Sequence, residues 1–462
     1  MTMKTIHFKE EVMKRKEGMI EDLRGLIRIN SELTEYDPNR RNAPFGPGTK
    51  AALDYVLRLG ERDGFRTVDL DGYAGHIEFG EQKEFIGMIG HLDVVPAGND
   101  WTYDPYGAEI HDGRIYGRGT EDDKGPTIAA YYAMKILKEL GLSLDKRVKL
   151  ILGNDEETAW RCMRHYFSVY PEAPVAGFIP DADFPLIYAE KGISRIVIEG
   201  VLEKGDLLSI DGGFRDNMVP DQATVKLART KDYARAFEAY LSKTGLKGSV
   251  ETFDGYYQLS VSGKSAHGST PEKGDNAIDR MFAFLFEAKV ESRLVELVRT
   301  YLYQDYYGKK LSIDHVDQEM GALTNNFGVI KTEDNRYSIS LNLRYPRGVI
   351  FADVIEAIRS KVRAFGATLS VDNHKELIYT DPSSELVTTL MNVYKKHTND
   401  RTAKPISIGG GTFARAMPNS VAFGPHFPGK PTHIHQKDES IDIDDLLLAT
   451  VIYTEALYEL AK

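Results

Sequence analysis

The chain has 462 residues, more than the roughly 250 to 300 that one hydrophobic core usually holds, so two domains are expected. Hydrophobic residues make up 42% and charged residues 27%, which is typical of a globular protein and excludes a disordered or fibrous chain. The formal net charge of -11 argues against a nucleic-acid partner, because binding to a phosphate backbone depends on clustered Lys and Arg.

The cysteine content and the apolar runs of the sequence predict the cellular compartment of the protein. Cys162 is the only cysteine, so no intramolecular disulfide can form and a reducing, cytoplasmic setting is expected. Next to Met163 in a predicted helix, Cys162 is interpreted as a small buried hydrophobe, with a nucleophile as the alternative. Residues 1–23 have no apolar signal core, and no run of about 18 apolar residues occurs, so neither export nor a membrane is expected.

The first predicted elements lead to a pair of polar residues. Helical spacing of apolar residues predicts a helix over Lys9–Asn30, and a Pro/Gly-rich loop then enters a second amphipathic helix. The apolar run Phe85–Ile89 predicts a buried strand with His91 and Asp93 at its C-terminal end. Because side chains two apart on a strand share a face, the Asp93 carboxylate is expected to hold the His91 ring and fix which nitrogen is free.

Acidic residues also follow or precede the next elements. Asp122 and Asp123 come just before a predicted buried helix over Thr127–Leu140. The predicted strand Val148–Leu152 ends in GNDEET, and the predicted strand Ala176–Phe178 ends in PDADFP. Strands that alternate with helices, with polar residues at successive strand ends, predict an α/β domain whose site lies at the carboxyl edge of the sheet.

The pattern changes after about Ile193. Apolar and polar residues alternate over Tyr337–Tyr345 and over Tyr257–Val261, which predicts half-buried antiparallel strands, and Asn276–Ala288 and Phe351–Ala364 look helical. These elements predict a second, α+β domain.

The first pattern returns near Glu376 with a capped helix, a strand and a glycine loop. The second domain is therefore predicted to be an insertion. The predicted organisation is a discontinuous metal-binding catalytic domain, residues 1–187 and 377–462, with a mostly parallel sheet flanked by helices, and an inserted α+β lid domain, residues 188–376.

Taken together, the polar residues at these element ends indicate a metal site. They are His91, Asp93, Asp122, Asp123, Glu156, Glu157, Asp181, Asp183, His433 and His435. Any one of them is more often a solvated turn or an ordinary histidine, but the set offers the mixed nitrogen and oxygen ligands that two nearby divalent cations require. With carboxylates and no thiolate, Zn²⁺, Mn²⁺ and Co²⁺ all fit, and ligand type does not choose among them.

Seven motifs carry a family resemblance through nearly the whole chain. In order they are HLDVVP, GRGTEDDKGP, GNDEET, PDADFP, SGKSAHGSTPEKGDNA, IGGGTFAR and HQKDES. They resemble the dinuclear-metal aminoacylase/carboxypeptidase superfamily, and specifically its bacterial PepV-type dipeptidases.

The resemblance implies a role for each residue of the metal site. One ion would take His91, Asp122 and Asp181, the other would take Asp122, Glu157 and His435, with Glu156 as general base and Asp93 orienting His91. His435 is chosen over His433 because the following Gln436 and Glu439 align with the family pattern.

In the lid, His267 matches the donor to the tetrahedral intermediate's oxygen, although SAHGSTP also reads as a Gly/Pro turn with an exposed histidine. For substrate binding the resemblance points to Asn217, Arg344 and the loop Gly409–Thr412, including Gly411 and Thr412. The Arg344 guanidinium is suited to clamp a C-terminal carboxylate, with an ordinary solvent-facing arginine as the alternative.

The leading prediction is a metal-dependent dipeptidase that hydrolyses small unblocked dipeptides, bound between its domains, with a water activated by two divalent ions, Zn²⁺ or Mn²⁺ with Co²⁺ possible. The alternative is an N-acyl amino acid deacylase or carboxypeptidase with the same metal centre. A non-catalytic peptide- or metal-binding protein is less favoured because all six ligand and base positions are filled. In PepV-type members a large lid replaces the partner subunit of dimeric relatives, so a monomer is expected.

Overall fold

The computed structural model describes residues 6–462; residues 1–5, with which the predicted catalytic domain and the N-terminal segment begin, lie outside the described residues. The described chain forms two compact units. The first unit contains the chain as far as Tyr188 together with Thr380–Ile406 and Thr412–Lys462, and the second contains Ala189–Tyr379 together with Ser407–Gly411. The second unit thus interrupts the first in the sequence.

The secondary structure of residues 6–462 alternates between helices and strands. The α-helices are α1 (Phe8–Lys14), α2 (Lys16–Ile27), α3 (Pro47–Arg62), α4 (Lys124–Glu139), α5 (Arg161–Val169), α6 (Tyr233–Thr244), α7 (Ala277–Glu287), α8 (Arg293–Leu297), α9 (Phe351–Arg363), α10 (Glu385–Thr398) and α11 (Ile443–Ala461). The strands are β1 (Arg66–Leu70), β2 (Ala74–Phe79), β3 (Phe85–His91), β4 (Glu109–His111), β5 (Arg114–Tyr116), β6 (Arg147–Gly153), β7 (Ala176–Ile179), β8 (Ala182–Asp183), β9 (Ile187–Glu190), β10 (Gly192–Val201), β11 (Leu207–Gly212), β12 (Gln222–Ala228), β13 (Gly248–Thr252), β14 (Tyr256–Ser262), β15 (Val316–Asp317), β16 (Gly321–Ala322), β17 (Thr324–Glu333), β18 (Arg336–Tyr345), β19 (Thr368–Lys375), β20 (Ile378–Tyr379), β21 (Ile406–Ile408), β22 (Ser420–Ala422), β23 (Pro425–His426) and β24 (Ser440–Asp442).

The first unit is built on a mixed sheet in the strand order β1-β2-β6-β3-β7-β22-β9. Its centre is parallel, because β3 pairs in parallel with β6 and β7, and β7 pairs in parallel with β22. Antiparallel strands flank this centre on both sides. Every residue of β3 is buried, as expected for a strand covered on both faces. The predicted α/β class is confirmed, with the parallel strands at the centre of the sheet.

Helices α4 and α11 pack against each other and against β3. The predicted helix over Thr127–Leu140 starts three residues earlier, at Lys124, so Asp122 and Asp123 lie at its N-terminus. Carboxylates are favoured at a helix N-terminus because the first backbone N–H groups point towards them.

The N-terminal helix differs from its prediction. In place of one helix over Lys9–Asn30, α1 and α2 are separated at Arg15, which has φ -109° and ψ 6°. Its backbone N–H donates to Val12 three residues back at 2.9 Å, so the α-helical hydrogen-bond ladder breaks there. Hydrophobic spacing does not reveal the break, because apolar residues continue at helical intervals across it.

The second unit contains an antiparallel sheet in the order β13-β14-β12-β11-β17-β18-β10-β19. Side chains alternate across it: Leu341 and Leu343 enter the core, while Asn342 and Arg344 lie on the opposite, polar face. Helices α6, α7 and α9 pack against strands of this sheet. The predicted α+β class of this part of the chain is confirmed. Within residues 6–462, no helix combines the length and apolar character needed to cross a membrane.

Candidate metal centre and substrate site

Three neighbouring parallel strands of the first unit deliver predicted ligands at one edge. Strand β3 ends at His91, β6 is followed by Glu156 and Glu157, and β7 is followed by Asp181. Because β6, β3 and β7 are adjacent and parallel, their carboxyl ends meet. The edge therefore gathers one imidazole and three carboxylates.

The loop that carries Asp122 is held in place by a buried carboxylate. Glu439 Oε1 accepts the backbone N–H groups of Gly119 at 3.0 Å, Glu121 at 2.9 Å and Asp122 at 3.2 Å. Its other oxygen accepts from Arg118 Nη1 at 2.6 Å, and the Glu439 side chain is almost fully buried. Sequence analysis used Glu439 only to align a motif, and its structural role was missed.

His91 contacts two of the predicted ligands through one ring nitrogen. Its Nε2 lies 2.8 Å from Asp122 Oδ1 and 3.7 Å from Asp181 Oδ2. Its Nδ1 lies 3.0 Å from the backbone carbonyl of Asp93 and 3.5 Å from Asp93 Oδ1. A carbonyl only accepts, so Nδ1 carries the proton and Nε2 is the nitrogen available to a metal.

His435 approaches the other side of the same carboxylate. Its Nε2 lies 3.0 Å from Asp122 Oδ2 and 3.0 Å from Glu157 Oε1. Asp122 therefore contacts both imidazoles, one through each oxygen. His433 is placed differently: its backbone N–H donates to Glu121 Oε2 at 2.9 Å, and its buried Nδ1 has no hydrogen-bond partner among the described residues.

Asp93 does more than sequence analysis assigned to it. Its Oδ1 accepts the backbone N–H of Glu156 and its Oδ2 accepts that of Glu157, each at 3.1 Å. For His91 Nδ1 the nearer acceptor is the Asp93 carbonyl rather than the Asp93 carboxylate. Asp93 thus fixes His91 and the backbone of both glutamates at once.

Asp123 is a second residue that sequence analysis left without a role. Its Oδ2 accepts the backbone N–H of His91 at 2.9 Å and the hydroxyl of Thr127 at 3.0 Å. The side chain is fully buried. Asp123 therefore ties the start of α4 to the end of β3, although the preceding Asp122 faces the imidazoles.

The charged side chains of this cluster shift one another's pKa values. Burial disfavours a charge on His91, but contacts with Asp122 and Asp93 raise the pKa of His91 well above its ordinary value. Hydrogen bonds with Asp122 and then Glu157 raise the pKa of His435 to about 10. Burial opposes ionisation of Asp122, yet the two imidazoles lower the pKa of Asp122. A proton on Nε2 of each imidazole thus pairs with the carboxylate of Asp122, and a bound cation would take the place of these protons.

Glu156 lies beside this cluster with its side chain half-buried. Burial raises the pKa of Glu156 to about 8, and the negative charges of Glu157 and Asp122 act in the same direction. Burial, together with the charge of Asp122, also raises the pKa of Asp181 well above its ordinary value.

The donor set fits divalent cations. Ligand atoms of His91, Asp122 and Glu157 all lie within 4.8 Å of one another. The side chains of Asp122, Asp181 and Glu157 are only 12%, 17% and 8% exposed. Carboxylates shielded from water to this degree need a positive partner, and a cation between imidazole nitrogens and carboxylate oxygens supplies it.

Four of the remaining predicted residues line one cavity of the second unit, which we call the sheet cavity, with a volume of about 690 Å³. They are Asn217, His267, Arg344 and Gly411. Thr412 belongs to the first unit, where its hydroxyl accepts the backbone N–H of Ala414 at 3.1 Å and begins a short 3₁₀ helix.

Hydrogen bonds orient the side chains of His267 and Arg344. His267 Nδ1 accepts the backbone N–H of Ser269 at 3.2 Å, so the neutral ring presents Nε2–H as a donor. Burial, and then the charge of Arg344, lower the pKa of His267, which favours the neutral ring. Arg344 is buried, and its Nε and Nη1 donate to Asn342 Oδ1 at 2.7 Å and to the Gly409 carbonyl at 3.0 Å.

This chain belongs to the peptidase family M20/M25/M40, whose model matches residues 87–459. A Bacillus subtilis (strain 168) protein named "Putative dipeptidase YtjP" is 42% identical over 472 residues, covering 99% of this chain and 100% of the relative. A Staphylococcus epidermidis protein named "Putative dipeptidase" is 41% identical over 469 residues, covering 98% and 99%.

The solved structures support the fold. The crystal structure of human carnosine dipeptidase 1 has a TM-score of 0.59 over 98% of each chain, at 14% sequence identity. The predicted family and the predicted enzyme class, a metallopeptidase, are confirmed by the family match.

Proposed function

We propose that the protein is a metal-dependent dipeptidase that hydrolyses the peptide bond of small unblocked dipeptides. The observation that carries this proposal is the contact of Asp122 with both His91 and His435, one imidazole at each carboxylate oxygen. A carboxylate in that position would be suited to hold two cations, and relatives that are named as dipeptidases match this chain over nearly its whole length.

Two divalent ions, Zn²⁺ or Mn²⁺ with Co²⁺ as a further candidate, would occupy the cluster. One ion would be held by His91, Asp122 and Asp181, and the other by Asp122, Glu157 and His435. When bound, the ions supply positive charge that makes a water molecule more acidic and polarises the substrate carbonyl.

Glu156 is the proposed general base. Its backbone N–H is fixed by Asp93, and its neighbour Glu157 contacts His435, so the two glutamates divide their tasks. Glu157 would hold a cation, while a Glu156 carboxylate oxygen would take a proton from the attacking water and pass it to the departing amine.

Residues of the second unit, and Thr412 at the next position in the chain after Gly411, are proposed to bind the substrate. The buried Arg344 guanidinium would receive the C-terminal carboxylate, and Asn217 together with Gly411 and Thr412 would bind the backbone. The Nε2–H of His267 would donate to the oxygen that gains charge when water attacks the carbonyl.

We propose the same roles for the two parts of the chain that the sequence predicts, namely a catalytic domain of residues 1–187 and 377–462 and a lid of residues 188–376. A monomer in a reducing cytoplasm is also proposed, since Cys162 is a buried free thiol. An elution volume that corresponds to twice 51.8 kDa would contradict the monomer.

The test compares three substrates with the metal-loaded protein. Alanyl-alanine, its N-acetylated form and trialanine differ only in the amino end and the length. We expect the free dipeptide to have the highest kcat/KM, and removal of metal by a chelator to abolish its hydrolysis. If the acetylated form is hydrolysed fastest, the protein is a deacylase or carboxypeptidase and the proposal is wrong.

A further inference from the structure

The sheet cavity extends beyond the groups assigned to the substrate. Its floor is the polar face of the second unit's sheet, and the residues that β18 contributes are Ser338, Ser340, Asn342 and Arg344. Arg344 is the last of this row, so most of the floor has no assigned role. The volume of about 690 Å³ lies within the range of small-ligand sites, about 300 to 1,000 Å³.

The lining of the sheet cavity is strongly cationic. Its charged cationic side chains are Arg195, Arg215, Lys331, Arg344 and Lys375. Among the described residues that line it, Asp216 is the single carboxylate, and its Oδ2 already accepts from Asn342 Nδ2 at 2.7 Å. A concave surface with this charge balance favours an anionic ligand over a neutral or cationic one.

Among the cavity's cations that lie on paired strands, Arg195 is the one nearest to Arg344 in register. It lies opposite Asn342 in the pairing of β10 with β18, and its Nη2 donates to Ser340 Oγ at 3.3 Å. Its Nη1 lies 3.0 Å from Asp372, but the two side chains are 43% and 55% exposed. An ion pair so exposed contributes little, so a ligand carboxylate can compete for the guanidinium.

The separation of Arg195 and Arg344 indicates how far apart the two carboxylates of a ligand would lie. Arg195 lies opposite Asn342 on the adjacent strand and is therefore a diagonal neighbour of Arg344, and such neighbours lie about 7 to 8 Å apart. A ligand with two carboxylates joined by a short aliphatic chain spans a distance of this size. A dipeptide with a C-terminal Glu or Asp is such a ligand.

We propose that Arg195 binds an acidic side chain on the C-terminal residue of the substrate, so that the preferred substrates are dipeptides ending in Glu or Asp. This inference rests on the proposed function, because it takes Arg344 as the partner of the C-terminal carboxylate. Arg195 acts in binding only, and it therefore changes KM for acidic substrates rather than kcat.

The experiment compares alanyl-glutamate with alanyl-glutamine, which have the same shape and differ in charge. The variants are Arg195→Gln and the matched control Arg359→Gln, whose side chain is 46% exposed and pairs with Glu356 at 2.8 Å outside the sheet cavity. Calorimetric binding of glutamate and of glutamine to the metal-loaded protein gives a second readout that does not depend on hydrolysis.

We expect the wild type and Arg359→Gln to prefer alanyl-glutamate by about two- to five-fold in kcat/KM, the size of an ion pair at a partly exposed guanidinium. Arg195→Gln is expected to lose this preference through KM, to keep its activity on alanyl-glutamine, and to bind glutamate no better than glutamine. Equal kcat/KM for both dipeptides in the wild type, or an equal loss on both in Arg195→Gln, overturns the inference. If alanyl-alanine is also not hydrolysed, the proposed function fails as well, whereas its normal hydrolysis confines the failure to the acidic preference.

Discussion

The carboxylate of Asp93 accepts the backbone N–H of Glu156 at 3.1 Å, across the 63 residues that separate them in sequence. The same carboxylate accepts the N–H of Glu157, so the proposed base and a proposed ligand share one anchor. Asp93 is completely buried, which leaves no water to replace it.

Replacement of Asp93 tests this anchor. In Asp93→Asn the amide NH₂ faces one of the two backbone N–H groups, so both the metal affinity and kcat are expected to fall, each by about 10- to 100-fold. Chelator competition measures the first and steady-state hydrolysis the second. Glu156→Gln is the matched variant, expected to lose kcat while the metal affinity is kept; an Asp93→Asn protein with wild-type affinity and kcat would refute the anchor.

Glu439 stabilises the loop that carries Asp122. In Glu439→Gln an amide group faces Arg118, and breaking such a buried pair is expected to lower the free energy of unfolding by about 3 to 5 kcal/mol. Metal binding is expected to weaken too, because the Asp122 N–H then donates to a neutral amide oxygen in place of a carboxylate that Arg118 holds. Thermal unfolding and metal titration check both effects.

The neighbouring half-buried Asp438 offers a control, since it accepts only the backbone and hydroxyl of Thr102. Asp438→Asn is expected to change the free energy of unfolding by about 1 kcal/mol or less. A Glu439→Gln protein as stable as Asp438→Asn would show that Glu439 does not hold the loop.

Asp279 makes the stability of the second unit depend on pH. Burial raises the pKa of Asp279 to about 6, against an ordinary value of 3.8. The folded state therefore holds a proton that the unfolded state has lost, and stability falls as pH rises from about 4 to about 6. Above that window ionised Asp279 is expected to cost about 2 to 3 kcal/mol.

Asp279→Asn removes this cost, while its Oδ1 can still accept from the Gln304 backbone and its NH₂ can donate to the Tyr306 hydroxyl oxygen. Its melting temperature is expected to exceed that of the wild type at pH 7.5, with a difference that shrinks towards pH 4. The exposed Asp254→Asn serves as the comparison. A difference independent of pH would contradict the argument.

Cys162 is expected to be an inert thiol. It is fully buried, and burial raises the pKa of Cys162, so almost no thiolate is present at neutral pH. Iodoacetamide should therefore leave the native protein unmodified and fully active at pH 7.5, while the same protein in denaturant is alkylated once. Rapid alkylation of the native protein, with loss of activity, would instead support the interpretation of Cys162 as a nucleophile.

Sequence alone predicted the residues at the strand ends. His91, Asp122 and Asp181 stand directly after or before strong apolar segments, so their position at one sheet edge followed from the α/β pattern. The order of the motifs along the chain then predicted a base at Glu156 and a ligand at His435, although a sequence carries no distances.

Contacts between distant segments were not predictable. The roles of Asp93 and Glu439 depend on backbone N–H groups of other loops, and a carboxylate in the sequence carries no mark of which N–H it accepts. Arg195 became informative only through the register of β10 on β18, which sets it opposite Asn342 about 150 residues later. The break at Arg15 was missed because hydrophobic spacing reports a face and not the backbone angles.

The most direct test of the account measures metal content and dipeptide hydrolysis together, in the wild type and in Glu156→Gln, with the exposed Glu17→Gln as control. We expect two divalent ions per chain in all three proteins. We also expect hydrolysis of alanyl-alanine by the wild type and Glu17→Gln, and a kcat lower by about 10² to 10⁴ in Glu156→Gln. Wild-type hydrolysis by the metal-stripped protein, or by Glu156→Gln, would contradict the account.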